Sequence, residues 1–221
     1  NGEGKTLKVR KDGTSMPAFL EYPVKSKSDF EGMKERFHPD SPERFPGEWS
    51  KLVKEYASRT FPLQLGGGNF CGFFSIIREM MGLEDAIFAF YDDPEFVRSM
   101  LLFFTDYYIN LYERVLADTD VDYILFWEDM CYKNGPLIGP DLFREFIQPC
   151  YKRAIYLLRE RGVKHFWVDT DGNPEMLLPL FIDAGITGMY PFEVQSDIDI
   201  RQVRKDFPDF IIAGGIDKKA L

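Results

Sequence analysis

The sequence predicts an α/β fold of the (β/α)8, or TIM, barrel class, incomplete in this chain because units are missing at one or both ends. Strands and helices alternate with short loops from residue 62 onward, a pattern typical of a parallel sheet with right-handed crossovers. The last three strands are predicted to begin near residues 165, 186 and 210, and this repeat of 21–24 residues favours a closed barrel over an open, doubly wound sheet. No GxGxxG, GxxxxGKS or GxxxxGKT motif indicates a nucleotide-binding fold.

Residues 1–60 are predicted to form an N-terminal layer packed on the barrel, which takes residues 61–221. In this layer Asp12-Gly13 lies between two short alternating runs, a pattern that predicts a β-hairpin. Short helices are predicted at 28–37 and 46–58, joined by a proline-rich turn.

The barrel elements follow from apolar runs and helix caps. Strands are predicted at 62–65, 123–127, 165–168, 186–190 and 210–213. Helices are predicted at 70–81, from residue 93 for about five turns, at 139–162, 173–185 and 197–205, and from Asp217 onward. Pro149 has no N–H group to donate, so we expect it to interrupt the helix at 139–162.

Composition narrows the class of protein. A net charge of −9 disfavours nucleic acid and anionic membrane surfaces as partners. No apolar run approaches the roughly 20 residues of a membrane-spanning helix, and the first residues lack the features of a signal peptide. The three cysteines are scattered, which favours a reducing, cytoplasmic location. With only two histidines, His38 and His165, there is little material for a histidine metal site or a Ser-His-Asp triad.

Acidic residues follow four successive predicted strands, and the carboxyl ends of barrel strands carry the reacting groups. The acids are Glu128, Asp129, Asp169, Asp171, Glu193 and Asp217. Helix capping is an alternative role for Asp171 and Asp217, and Glu193 is equally explained as a solvated side chain. Carboxylates that face one mouth raise each other's pKa unless a cation neutralises them. A divalent ion, a protonated carboxyl acting as general acid, or a cationic substrate would each resolve this, and the sequence leaves the three open.

We predict catalytic roles for Glu128, Asp169 and Asp171. The predicted substrate-binding residues are Asp129, Tyr132, Glu193, Asp217, Gly67 and Asn69. Tyr132 lies on the loop that follows the first acid pair. Gly67 and Asn69 belong to a glycine-rich turn that would bring backbone N–H donors to the acidic groups of a ligand.

With these residues in place, the chain resembles the uroporphyrinogen decarboxylase superfamily, which includes corrinoid-linked methyltransferases. The resemblance runs from Pro62 to Leu221, and the order and spacing of its motifs are more specific than any one motif. The motifs are Glu128-Asp129-Met130, GPLIGP at 135–140, FREF at 143–146, PCYK at 149–152, Asp169-Thr170-Asp171-Gly172-Asn173, Pro191-Phe192-Glu193 and Gly214-Gly215-Ile216-Asp217. The resemblance implies a (β/α)8 barrel, and a homodimer is possible because the family often pairs its barrels.

The sequence departs from both branches of this family. It lacks the Arg-Gln-Ala-Gly-Arg motif that binds substrate carboxylates in the decarboxylases, and Trp127-Glu128-Asp129 stands where they have Phe-Asp-Ser. The zinc-binding His-x-Cys-Gly segment of the methyltransferases corresponds here to Asp169-Thr170-Asp171-Gly172. Oxygen ligands would therefore replace imidazole and thiolate.

Three functions remain open. The resemblance first implies a carboxy-lyase that needs no cofactor and decarboxylates a tetrapyrrole-like or other small acid, with Glu128, Asp169 and Asp171 in proton transfer or substrate orientation. The alternative is a methyltransferase in which these three carboxylates hold zinc or another divalent metal and a corrinoid (cobamide) protein is the partner. The third is a barrel that binds a ligand without catalysis.

Overall fold

The computed structural model describes residues 3–13, 16–68, 70–217 and 219–220, and begins with a two-stranded antiparallel hairpin. Its strands are β1 (Thr6–Lys8) and β2 (Ala18–Glu21), with Thr6 opposite Glu21. The hairpin predicted from the sequence is therefore confirmed. Two helices follow, α1 (Lys27–Lys34) and α2 (Trp49–Ala57), with a short 3-10 turn at Pro42–Arg44 between them.

A parallel sheet forms the centre of the protein. The strands after the hairpin are β3 (Gln64–Gly66), β4 (Tyr123–Trp127), β5 (Cys131–Tyr132), β6 (Gly135–Pro136), β7 (His165–Asp169), β8 (Gly188–Phe192) and β9 (Ile211–Gly214). Five of them form the sheet, in the order β3-β4-β7-β8-β9. The remaining helices are α3 (Phe73–Met81), α4 (Leu83–Asp92), α5 (Pro94–Leu116), α6 (Pro140–Leu142), α7 (Gln148–Glu160), α8 (Leu178–Asp183) and α9 (Ile200–Asp206). The small pair β5 and β6 forms a separate antiparallel ribbon.

The mixed α/β class and the five parallel strands agree with the sequence prediction, whereas the closed barrel is not formed by the described residues. Strands β3 and β9 each pair with a single neighbour in the sheet and not with one another. Closure into a barrel of this class takes about eight strands, because each pair of neighbours contributes only part of the necessary curvature. The described chain therefore presents an open parallel sheet.

The two faces of this sheet differ in character. One face is fully buried beneath the helices and is apolar: Ile124, Phe126, Phe166, Val168 and Met189 are each 0% exposed. The other face, called the open face below, carries the half-buried side chains of Tyr123, Trp127, Trp167, Asp169 and Tyr190. Successive residues of a strand point to opposite faces, so the parallel register places these five side chains together.

The N-terminal layer packs on α5 through aromatic rings. The ring centroid of Phe30 in α1 lies 5.5 Å from that of Phe103. The ring centroid of Phe37 lies 5.1 Å from that of Phe104 and 5.4 Å from that of Tyr107. The start of α5 is capped as its sequence predicts, because the carboxylate of Asp93 accepts a hydrogen bond from the N–H of Phe96 at 3.1 Å. The ring contacts with α5 agree with the predicted N-terminal layer, and the boundary of that layer at residue 60 stays a prediction.

Several predicted boundaries change. The sequence prediction omits α4, which begins directly after Gly82. Ahead of Pro149 the helix widens into a π-helical segment, Phe143–Ile147, so that the proline falls in the first turn of α7, where no N–H donor is needed. Strand β8 begins and ends two residues later than predicted, which places Glu193 immediately after it. The helix predicted from Asp217 onward is a turn among the described residues, closed by a bond from the N–H of Ala220 to the Asp217 carbonyl.

We expect Gly188→Ala to destabilise the protein by about 2 kcal/mol, the usual range for overpacking a core. A Cβ atom at Gly188 would lie 2.8 Å from Cε2 of Trp167 and 3.0 Å from Cβ of Ile211, so the indole would have to move. The matched control is Gly32→Ala in α1, where a Cβ atom meets nothing within 4 Å and stability should be unchanged or slightly higher. Urea unfolding measures both, and equal stabilities of the two variants would contradict the packing.

Candidate active site

Glu128 lies inside the protein, at the amino terminus of α3. Its side chain is 0% exposed and accepts hydrogen bonds from the N–H groups of Phe73 and Ser75, both at 2.8 Å, and from the hydroxyl of Tyr151. The N-cap residue Gly72 has no side chain that could accept these bonds. The carboxylate therefore satisfies free donors of the first turn of α3 and faces the positive end of its dipole.

This position changes the interpretation of Glu128. Burial raises the pKa of its carboxyl, and the hydrogen bonds from Tyr151 and from the α3 backbone oppose that rise. Its oxygens are occupied by the protein's own donors, and it does not line the cleft formed by the other strand-end acids. The structure thus gives Glu128 a structural contact with α3 and does not bring it to the surface that a substrate would reach.

Asp129, the next residue, turns towards solvent and binds the other end of the same helix. Its φ of +43° lies in the left-handed region, which aspartate adopts more readily than most residues. The guanidinium of Arg78 donates to its carbonyl at 2.6 Å and to its carboxylate at 3.0 Å. Arg78 also lies over the ring of Trp127, with its guanidinium carbon 5.0 Å from the centroid. This pairing fixes the loop that follows β4.

A cleft of about 500 Å³ opens at the carboxyl ends of the strands. Four of the predicted site residues line it together, Asp129, Tyr132, Asp171 and Glu193, as their strand-end positions predict. Three cations also line it, Arg78, Lys133 and Lys219, together with Gln195. The cleft therefore combines charges of both signs, and its acids are not an isolated carboxylate cluster.

The loops that build this cleft are tightly packed. Gly172 has φ of +80°, and a Cβ atom there would lie 2.5 Å from the carbonyl oxygen of Cys131, so only glycine fits. The N–H of Gly172 donates to the carboxylate of Glu193 at 2.9 Å. Asp217 lies beside the cleft, where it accepts bonds from the side chain of Gln195 and, at 2.9 Å, from the N–H of Lys219. Glu193 and Asp217 thus also hold the cleft wall in place.

Asp169 ends β7 and lies on the open face next to these acids. Burial, the negative charge of Asp171 and, to a smaller extent, that of Asp129 raise the pKa of the Asp169 carboxyl from 3.8 to about 6, against a hydrogen bond from Tyr190. Burial and the nearby Asp169 carboxylate raise the pKa of Tyr190 to about 12, so the phenol keeps its proton. Asp169 is thus a carboxyl that exchanges protons close to neutral pH, a property typical of a general acid or base.

The glycine-rich turn lies elsewhere and its donors are engaged. The N–H of Gly67 donates to the carbonyl of Leu125 at 2.9 Å and to the thiol of Cys71 at 3.1 Å, and that of Gly68 also donates to Cys71. Gly67 lines a different cavity, against α5. The structure therefore places Gly67 away from the acids, and its role in substrate binding stays a prediction, while Asn69 lies outside the described residues.

The metal set predicted from the sequence is not assembled. Within residues 3–13, 16–68, 70–217 and 219–220, no three His, Cys, Asp or Glu side chains come close enough together to hold a metal ion. Glu128 is separated from Asp169 and Asp171 because it points into the protein towards α3. In the same part of the chain, no helix is both long and apolar enough to cross a membrane.

Sequence reasoning missed Arg78 and Tyr190 as site residues. Arg78 and Glu79 are the charged residues of a mainly apolar helix, and a charged pair in such a place needs buried partners, which is a usable signal. Tyr190 carries no comparable signal, because its importance depends on the register that places it opposite Asp169.

Comparison with known proteins identifies the family to which the chain is similar. The family model described as Uroporphyrinogen decarboxylase (URO-D) matches residues 4–221. No protein with a curated description matches the sequence. A similar solved structure is a methyltransferase from Methanosarcina mazei, with a TM-score of 0.61 and 13% identity; the match covers 96% of this chain and 59% of that chain. At this identity the likeness concerns the fold alone.

We expect Glu128→Leu to lower the free energy of unfolding by about 3–5 kcal/mol, because it leaves several buried donors without an acceptor. Glu128→Gln should lose about half as much, since its amide oxygen still accepts from one of them. Glu160→Gln, exposed on α7, is the control and should change stability by less than about 0.5 kcal/mol. Urea unfolding measures all three; a Glu128→Leu variant of wild-type stability without activity would restore the catalytic prediction.

Proposed function

Because the chain belongs to the uroporphyrinogen decarboxylase family, we propose that it forms part of an enzyme that decarboxylates a small acid at the strand ends. The substrate occupies the cleft lined by Asp129, Asp171 and Glu193, and Asp169 supplies a proton from the adjoining open face. On this proposal the five parallel strands are part of a (β/α)8 barrel, and the open face is the inner surface of that barrel.

The half-buried position of Asp169 opposite Tyr190, where burial and the charge of Asp171 raise the pKa of its carboxyl, carries this proposal. When the bond between the carboxyl group and its carbon breaks, carbon dioxide leaves and the bonding electrons remain on the carbon. That carbon must then take a proton, and a carboxyl whose pKa is about 6 can hold one near neutral pH. Tyr190 donates a hydrogen bond to the resulting carboxylate, and solvent returns the proton.

A methyltransferase that works with a corrinoid protein is the second candidate, favoured by the structural neighbour from Methanosarcina mazei. Its chemistry would need zinc or another divalent ion to activate the methyl acceptor. The described carboxylates do not fit this role, because Glu128, Asp169 and Asp171 are not gathered around one point. Stoichiometric zinc in the purified protein, measured by elemental analysis, would favour methyl transfer over decarboxylation.

We expect Asp169→Asn to reduce the rate of carbon dioxide release from uroporphyrinogen or a smaller carboxylic acid by about 10²–10⁴-fold, the usual contribution of a general acid. In the wild type the rate should fall as pH rises through about 6, because the protonated carboxyl is the reactive form. The control Asp209→Asn, exposed and remote from the cleft, should keep the rate within about twofold. An unchanged pH profile in Asp169→Asn, or binding without turnover in the wild type, would exclude this role.

The same carboxyl should change stability with pH. Well below its unfolded pKa of 3.8 it is protonated in both the folded and the unfolded chain and contributes nothing. Between pH 4 and 6 the unfolded chain releases its proton while the folded chain keeps it, so the wild type loses stability as pH rises. Relative to the wild type, Asp169→Asn should therefore gain about 1–2 kcal/mol between pH 4 and pH 7, allowing for partial exposure. Urea unfolding at both pH values measures this gain, and a loss would contradict the raised pKa.

A further inference from the structure

A row of alternating charges runs from the N-terminal hairpin to the cleft, in the order Lys5, Glu79, Arg78, Asp129. The ammonium of Lys5 is buried, with its side chain 1% exposed, and it pairs with Glu79 and, at 3.2 Å, with Glu3. Glu79 lies 3.6 Å from Arg78, and Arg78 binds Asp129 at 3.0 Å. Arg78 and Asp129 both line the substrate cleft.

Arg78 lies between two carboxylates that compete for it. The side chain of Glu79 is 12% exposed and that of Asp129 is 40% exposed. A buried carboxylate loses more free energy without a cation than an exposed one. Glu79 would therefore attract Arg78 more strongly than Asp129 does, unless another cation neutralises it. Lys5 is that cation, since its ammonium is in direct contact with Glu79.

From this arrangement we infer that Lys5 is a positioning residue for the cleft. By neutralising Glu79 it leaves the guanidinium of Arg78 available to Asp129, and so fixes the loop at residues 128–137. This inference rests on the proposed function only in assigning the cleft to the substrate. The positioning itself follows from the ion pairs and from the two hydrogen bonds of Arg78 to Asp129.

The loop at 128–137 offers a readout that does not depend on activity. The N–H of Leu137 donates to the carbonyl of Met130 at 2.8 Å, and the N–H of Met130 donates to the hydroxyl of Thr170 at 3.0 Å. These amides are protected from hydrogen exchange while the loop is held, and they exchange faster when it is released. Hydrogen–deuterium exchange with mass spectrometry can follow the peptide that covers this loop.

We expect Lys5→Met to raise exchange in this loop by about tenfold and to lower kcat/KM by about tenfold or more, while β7 keeps its protection. The double variant Lys5→Met with Glu79→Gln should regain most of the protection and activity, because the competing carboxylate is gone. Lys5→Arg should retain both, since it keeps the charge. The control Lys8→Met, exposed at the last residue of β1, should leave both unchanged.

A salt bridge with a merely structural role would give the opposite pattern. The double variant would then be as disturbed as Lys5→Met, and this result would overturn the inference. If Lys5→Met does not fold, Glu79→Gln alone decides: a protected loop supports the competition, and a released loop overturns it. Exchange results hold whether or not Asp169→Asn keeps the wild-type pH profile, so failure of the proposed function is distinguishable from failure of this inference.

Discussion

The carboxylate of Glu128 joins the central sheet to its first helix, and much of the site depends on this contact. Helix α3 has a glycine at its N-cap, so its first N–H groups need an acceptor from another element. Glu128 supplies it from the end of β4, and Tyr151 of α7 binds the same carboxylate. Three elements thus meet at one buried charge, which the positive end of α3 stabilises.

The contact also explains why two adjacent acids have different surroundings. Glu128 is buried, whereas Asp129, in the left-handed region, has a side chain that is 40% exposed. Both bind α3, Glu128 at its amino terminus and Asp129 through Arg78 about a turn and a half later. The orientation of α3 is thereby tied to the end of β4 at two points. The loop after β4, which forms part of the cleft wall, is therefore held in a fixed position.

The sequence predicted the parallel strands and the acids at their ends, because apolar runs and strand ends are local patterns. The loops after these strands lie at one edge of the sheet, and they bring together Asp129, Tyr132, Asp171 and Glu193 in one cleft. The inward direction of Glu128 was not predictable, since it depends on a helix amino terminus 53–55 residues away in the sequence. The placement of Gly67 was not predictable either, because its N–H donates to a thiol four residues later in the chain. The raised pKa of Asp169 depends on its burial, on Asp171 and Asp129 in the loops after β7 and β4, and on Tyr190 of β8.

The aromatic side chains of the open face give the protein an internal optical reporter. It contains three tryptophans, and two of them are beside the site: Trp127 under the guanidinium of Arg78 and Trp167 with its ring centre 6.2 Å from that of Tyr190. The third, Trp49, lies in α2, where it donates to Asp118. Ultraviolet emission from an unlabelled sample therefore senses events at the strand ends, and a phenylalanine at position 49 would remove the remote contribution.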